Sequence, residues 1–140
     1  MIEKEVITRR LTALEEYLAD LNKAKNDLNF QEFKTDKIMR RYIERTLHMA
    51  IESCLDTASH IISYKGYREA ENNQDLFQIL IEESILDKDL GKKLKKMAQF
   101  RNVIVHDYLK IDPEIVFAIL TKHTDDLSRF ALVIKDSFLS

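Results

Sequence analysis

Apolar residues recur at every third or fourth position along most of the chain, which is the spacing of amphipathic α-helices. The pattern predicts a first helix from about Glu3 to Asn26 and a longer second helix from Thr35 or Asp36 to Tyr64. One apolar stripe of the second helix comprises Met39, Ile43, Leu47, Ala50, Cys54, Thr57 and Ile61. Gly66 is a natural stop for this helix, because glycine readily adopts the left-handed conformation that ends many helices.

The pattern in the second half of the chain predicts a loop and three further helices. Polar residues 67–73 indicate a loop, and a short helix follows over about 74–83. Asp87 is the predicted N-cap of the next helix, whose stripe comprises Leu90, Leu94, Met97, Arg101 and Ile104. Asp112-Pro113 predicts the start of a last helix that runs to about Phe138. We therefore expect an all-α bundle of four main helices plus one short helix, in a single domain over residues 1–140.

The composition agrees with this architecture and limits the function. Two glycines and one proline are too few for the many turns of a β protein. The net charge of −2 means that nucleic acid would have to bind a local basic patch. The single cysteine, Cys54, has no internal disulfide partner and is expected to pack in the core. No apolar run approaches the ~18 residues of a membrane span, and the charged N-terminus does not resemble a secretory signal. We expect a cytoplasmic protein.

Four residues near the end of the fourth predicted helix form the motif R-N-x-x-x-H-x-Y: Arg101, Asn102, His106 and Tyr108. They bring together a permanent cation, an amide, a proton-transfer group and a phenol. RNA supplies its own nucleophile, the 2′-hydroxyl, so an enzyme that cleaves it needs proton transfer and charge stabilisation. Imidazole exchanges protons near neutral pH, and guanidinium offers a planar fork to phosphate. Asn102 is placed to orient either group or the phosphate.

The helical projection leaves open how Arg101 and His106 cooperate. At about 100° per residue, Arg101 falls in the middle of the apolar stripe, where it must pair with a carboxylate such as Asp56 or face a second surface. His106 would lie almost opposite if the helix continued. Either the helix unwinds near Val105, which the approaching Asp112-Pro113 break favours, or the two side chains belong to different surfaces. A further alternative is that they meet across a symmetric dimer.

A lysine-rich segment precedes the motif and includes Lys88, Lys92, Lys95 and Lys96. Three of these lysines share one helical face, which is either the solvated side of the helix or a track for RNA phosphates. His48, His60 and His123 are interpreted as structural, because their spacing does not suggest a metal cluster. No metal and no cofactor is expected.

The motif resembles that of the HEPN superfamily, and it is most similar to the motif of the HepT-type toxins. The match extends over most of the chain: residues 51–61 are similar to the family's second long helix, and Phe100-Arg101-Asn102 followed by His106-Asp107-Tyr108 is the more specific part. The resemblance implies an antiparallel HEPN-type bundle that forms a homodimer and acts as a metal-independent endoribonuclease. Arg101 and His106 would carry the chemistry at the dimer interface.

The same resemblance implies a partner. HepT-type toxins accompany a nucleotidyltransferase antitoxin of the MntA type, which adenylylates the motif tyrosine and silences the toxin. That tyrosine is Tyr108 here. The alternative function is a non-catalytic HEPN module that binds such a nucleotidyltransferase, with or without a nucleotide.

Overall fold

The computed structural model describes residues 2–106 and 108–140, and over these ranges the chain is helical with no β-strand. The α-helices are α1 (Ile2–Asp27), α2 (Phe30–Thr35), α3 (Lys37–Lys65), α4 (Asn73–Glu82), α5 (Lys88–His106), α6 (Pro113–Lys122) and α7 (Thr124–Ile134). A 3-10 turn (Tyr108–Lys110) follows α5, and a π-helical turn (Lys135–Leu139) follows α7. The predicted all-α class is confirmed.

The ends of the longest helix, α3, are set by short-range chemistry. The Asp36 side chain accepts a hydrogen bond from the backbone N–H of Met39 at 3.0 Å, so Asp36 is the N-cap. Thr35 is the N-cap that the sequence predicts from residue type, and that prediction is wrong: Thr35 donates its hydroxyl to the Gln31 carbonyl within α2. At the other end, Gly66 has φ +69° and donates its N–H to the Ile62 and Ser63 carbonyls. The predicted stop at Gly66 is confirmed.

Helix α2 was missed by the sequence pattern, because six residues are too few to show a helical period. A capping box starts it: the Asn29 side chain accepts from the Glu32 N–H, and the Glu32 carboxylate accepts from the Asn29 N–H. Phe33 is fully buried and packs against Phe117 of α6, with ring centroids 5.5 Å apart. Tertiary contact therefore stabilises a helix too short to persist alone.

The predicted last helix is two helices, α6 and α7, which meet at His123. This residue leaves helical geometry at φ −124° and ψ −2°, while its N–H still bonds to the Ile119 carbonyl. The start of the segment is as predicted, with Asp112 as N-cap and Pro113 in the first turn. Neither glycine nor proline marks the break at His123, so the continuous apolar pattern concealed it.

The core lies between α3 and the helices packed around it: α1, α4, α5 and α7 all contact α3. The predicted stripe of α3 faces this core, with Ile43, Leu47, Ala50, Cys54 and Ile61 each inaccessible to solvent. Burial raises the pKa of the Cys54 thiol, so this cysteine acts as a packing residue. Among the described helices, none is long and apolar enough to cross a membrane.

Candidate functional site

The motif lies at the C-terminal end of α5, which stays helical through His106. The predicted unwinding near Val105 is therefore wrong. Pro113 restricts mainly the residue before it, Asp112, and Asp112 lies well after the end of α5 at His106. In a continuous helix, side chains five positions apart point about 140° away from each other. Within one chain, Arg101 and His106 consequently belong to different faces of α5.

Arg101 faces α3 and is held there by Glu52. Its Nε donates to Glu52 Oε1 in an ion pair, and its Nη1 donates to Asn102 Oδ1 at 3.3 Å. The Arg101 side chain keeps 21% of its surface exposed. A carboxylate partner on α3 was predicted, but Asp56 was the wrong choice. Asp56 lies one turn further along α3 and pairs with Arg10 of α1 at 3.1 Å.

The same carboxylate also contacts a histidine that the sequence analysis had set aside as structural. His48 Nε2 lies 3.6 Å from Glu52 Oε1, and His48 Nδ1 lies 3.3 Å from Arg45 Nη1. Burial lowers the pKa of His48; the carboxylate of Glu52 opposes this shift, while Arg45 and Arg101 add to it. A line of polar contacts thus runs from Arg45 through His48 and Glu52 to Arg101.

This line borders a cleft of ≈ 380 Å³ between α3 and α5. The cleft is lined by Arg41, Glu44, Arg45, His48, Ile104 and Val105. Glu44 is almost fully buried, and this desolvation raises its pKa, a rise that the charges of Arg40 and Arg41 oppose. We call this space the α3–α5 cleft. It joins four polar side chains of α3 to the helical turn that carries the motif.

His106 is exposed at the last turn of α5, next to apolar side chains that also face solvent. Val103 is 36% exposed, Val105 is 40% exposed and Leu109 is 96% exposed. Ile104, which belongs to the apolar stripe of α5, is buried against the core. Val103 and Val105 flank Ile104 in the sequence and project from nearly opposite sides of α5, about 160° apart around the helix axis.

Tyr108 begins the 3-10 turn that follows α5. A continuous α-helix would put Tyr108 on the same line as Arg101, but α5 ends at His106. The side chain of Tyr108, as well as the whole of Asp107 and Met1, lies outside the described residues. The prediction that Tyr108 is the modified residue therefore concerns a side chain outside the described part of the structure.

The four lysines predicted to bind RNA lie along α5 before the motif. Lys88, Lys92 and Lys96 are exposed, whereas Lys95 is half-buried and donates to Gln78 of α4. Since α5 is continuous, His106 extends the helical face that carries Lys88, Lys92 and Lys95. Lys96 lies away from this face and borders a second cavity of ≈ 430 Å³ between α5 and α6–α7.

The residues that the sequence analysis missed, Arg41, Arg45, His48 and Glu52, carry a detectable signal. Their spacings of four, three and four place them on one face of a helix. The apolar stripe of α3 is the more conspicuous pattern, and this polar stripe lies on the opposite side of the same helix. Within residues 2–106 and 108–140, no group of three or more histidine, cysteine, aspartate or glutamate side chains is arranged to hold a metal ion.

Comparison with known proteins places the chain in a family. The family model described as "Ribonuclease HepT-like" matches residues 14–134. The chain belongs to the HepT-like ribonuclease family. It is 31% identical over 104 residues to the mRNA nuclease HepT of Shewanella oneidensis, covering 74% of this chain and 78% of that protein. It is 29% identical over 116 residues to the tRNA nuclease HepT of Aphanizomenon flos-aquae, covering 83% and 78% respectively.

A solved structure extends the similarity of this HepT-like chain to three dimensions. The tri-AMPylated HEPN toxin of Shewanella oneidensis, solved in complex with its MNT antitoxin, superimposes with a TM-score of 0.86 at 26% identity. The alignment covers 94% of this chain and 97% of that toxin. The predicted HEPN-type bundle and the predicted enzyme class, an endoribonuclease, are confirmed.

Proposed function

We propose that this protein is the metal-independent endoribonuclease toxin of a toxin–antitoxin pair and that Arg101 and His106 carry its chemistry. The observation that supports this most is the position of the two side chains at one helix end. Arg101 is held in place by Glu52 and its side chain stays partly exposed, and His106 is exposed slightly more than one turn later. A cation and a proton-transfer group thus lie near the same helix end, on different faces of α5.

The reaction that these groups support is attack of the RNA 2′-hydroxyl on the adjacent phosphorus. The 2′-oxygen–phosphorus bond forms, the bond from phosphorus to the 5′-oxygen breaks, and the products are a cyclic phosphate and a 5′-hydroxyl. His106 exchanges the proton with the attacking or the leaving oxygen, and Arg101 stabilises the negative charge that builds on the phosphate. Asn102, which accepts a hydrogen bond from Arg101, orients the guanidinium.

The site is proposed to form between two subunits. Arg101 and His106 of one chain point to different faces of α5, so a phosphate held by one of them is poorly placed for the other. Val103 and Leu109 are exposed apolar side chains close to His106 in the chain, and their burial against a second copy would favour a dimer at this end of α5. In a symmetric dimer, Arg101 of each subunit acts with His106 of the partner.

We propose a nucleotidyltransferase antitoxin as the partner and adenylylation of Tyr108 as its means of control. The support is the similar toxin of Shewanella oneidensis, which is AMPylated and bound to its antitoxin, together with the tyrosine two positions after His106. A bulky anionic nucleotide on Tyr108 would occupy the rim of the site and repel RNA.

Expression of the chain alone tests the proposal, with growth and RNA integrity as readouts. His106→Ala is expected to abolish toxicity and RNA cleavage while helicity stays unchanged, since His106 is exposed and its loss leaves no cavity. Tyr108→Phe should remain toxic alone but escape a co-expressed nucleotidyltransferase. Equal RNA cleavage by His106→Ala and the wild type would show that His106 is not catalytic and favour a binding module.

A further inference from the structure

The α3–α5 cleft lies outside the R-N-x-x-x-H-x-Y motif but opens onto it. Arg41 and Arg45 line it from α3, and Ile104 and Val105 close it from the motif turn of α5. The contacts from Arg45 to His48, from His48 to Glu52 and from Glu52 to Arg101 make the cleft continuous with the motif arginine. A linear polymer bound at Arg101 can therefore extend into the α3–α5 cleft.

The side chains of this cleft suit a phosphodiester backbone. Arg41 and Arg45 are exposed, and neither pairs with a carboxylate among the described residues. Their neighbour Arg40 differs, because its guanidinium is tied to the Lys34 carbonyl at 2.8 Å. The acidic group of the cleft, Glu44, is almost fully buried, so the accessible charges of the cleft are those of the two arginines. Guanidinium binds phosphate oxygens in a bidentate manner.

The lysine face of α5 is less suited to this task. Lys95 is half-buried and donates to Gln78 of α4, so one of the three lysines of this face is already engaged. Lys88 and Lys92 are exposed on the helix surface, whereas the arginines of α3 line a concave space beside the motif turn of α5. Concave, positively charged grooves hold single-stranded nucleic acid well.

We propose that Arg41 and Arg45 bind the phosphates of single-stranded RNA next to the scissile one, so that the α3–α5 cleft is the substrate track. The inference rests on the proposed nuclease function and adds to it the path of the RNA. Arg41 and Arg45 are binding residues here, and the chemistry stays with Arg101 and His106.

The experiment measures binding of a short, fluorescently labelled single-stranded RNA to the full chain carrying His106→Ala, which prevents cleavage. Arg41→Gln and Arg45→Gln together should weaken binding about tenfold at moderate salt and make the dependence of log K on log salt shallower by about 0.7 for each arginine removed. Arg41→Lys with Arg45→Lys should keep the wild-type salt dependence, because both charges remain. Arg129→Gln is the matched control, since Arg129 lies beside Asp89 at the opposite end of α5.

Each outcome bears on one proposal at a time. An unchanged salt dependence in the double glutamine variant, or an equal loss in Arg129→Gln, would overturn the cleft assignment even if the wild type cleaves RNA. Normal RNA binding with lost affinity for a nucleotidyltransferase, or with loss of the dimer, would make the cleft a protein-docking surface and overturn it as well. If the expected losses appear but the wild type cleaves no RNA, the cleft assignment stands and the nuclease proposal fails.

Discussion

At the level of single residues, Glu52 connects the motif to the rest of the site. Its carboxylate pairs with Arg101 on α5 and approaches His48 on its own helix. An arginine has many rotamers, and a fixed carboxylate selects the one that presents its remaining N–H groups to a phosphate. Glu52 is therefore a positioning residue.

Glu52→Gln is expected to lower kcat for RNA cleavage by about tenfold or more, because the amide holds Arg101 more weakly than the carboxylate does. The KM should change little. The free energy of unfolding should fall by about 1 kcal/mol. Asp56→Asn is the matched control: Asp56 lies one turn away and pairs with Arg10 on the surface, so cleavage should be unaffected. Equal losses of kcat in both variants would remove the positioning role from Glu52.

At the level of elements, Gly91 sets how closely α5 approaches α4. A Cβ atom at this position would fall on the Cγ1 and Cδ1 atoms of Ile81. Gly91→Ala should therefore destabilise the protein by about 1 kcal/mol, because overpacking outweighs the gain in helix propensity. Ile81→Ala should relieve part of that cost, so thermal unfolding of the two single variants and the double variant should show coupling.

Gly66→Ala provides the contrast for that cycle. Nothing lies within 4 Å of a Cβ at Gly66, but its φ of +69° is unfavourable for alanine. Its cost should be independent of Ile81, since it arises in the backbone. If the losses of stability in Gly91→Ala and Ile81→Ala were additive, α4 and α5 would have to move apart without cost to make room for the added methyl group.

The loop between α3 and α4 is fastened by Arg68, which donates two hydrogen bonds to Asp75, at 2.7 and 2.8 Å, and also binds Glu82. The bonds from Arg68 hold the pKa of Asp75 at about 2, below its ordinary 3.8. A carboxyl group with a depressed pKa in the folded state stabilises it fully above about pH 4, and this contribution disappears as the pH falls toward 2. The loop should thus be acid-sensitive.

Acid titration of unfolding should show this dependence. Asp75→Asn should be less stable than the wild type at neutral pH, and the difference should shrink between about pH 4 and pH 2. Arg68→Gln should reproduce the effect, because it removes the same ion pair. If the difference in unfolding free energy between the wild type and Asp75→Asn stayed constant with pH, the ion pair would contribute nothing to the stability of the folded state.

At the level of the whole molecule, the proposed composite site predicts that two inactive variants complement each other. When Arg101→Ala and His106→Ala chains are co-expressed, about half of the dimers should be heterodimers. Each heterodimer should have one intact site, in which the Arg101→Ala chain supplies His106 and the His106→Ala chain supplies Arg101. The mixture should recover about a quarter of wild-type cleavage. Light scattering should report about twice the 16.5 kDa chain mass. No recovery from heterodimers would place both residues of each site on one chain.

Local chemistry in the sequence determined much of this architecture. Periodic apolar residues predicted the long helices, and Gly66, Asp87 and Asp112 marked helix ends correctly because a cap acts on backbone groups two to four residues away. The motif and its family resemblance predicted the enzyme class. Signals of this kind act within a few residues, so they can be recognised without knowing where the rest of the chain lies.

Contacts between distant segments were decided only by the tertiary structure. The sequence required a carboxylate for Arg101, yet the choice of Glu52 over Asp56 depends on the register between α3 and α5. Helix α2 exists because Phe33 finds Phe117, and the break at His123 carries no local signal. His48 and the arginines of the α3–α5 cleft acquired a neighbour at the site only when α5 packed beside them. Packing decides such pairings. Shifting one helix by a single turn along its neighbour replaces one contact residue by the next, while the local structure of both helices stays almost unchanged.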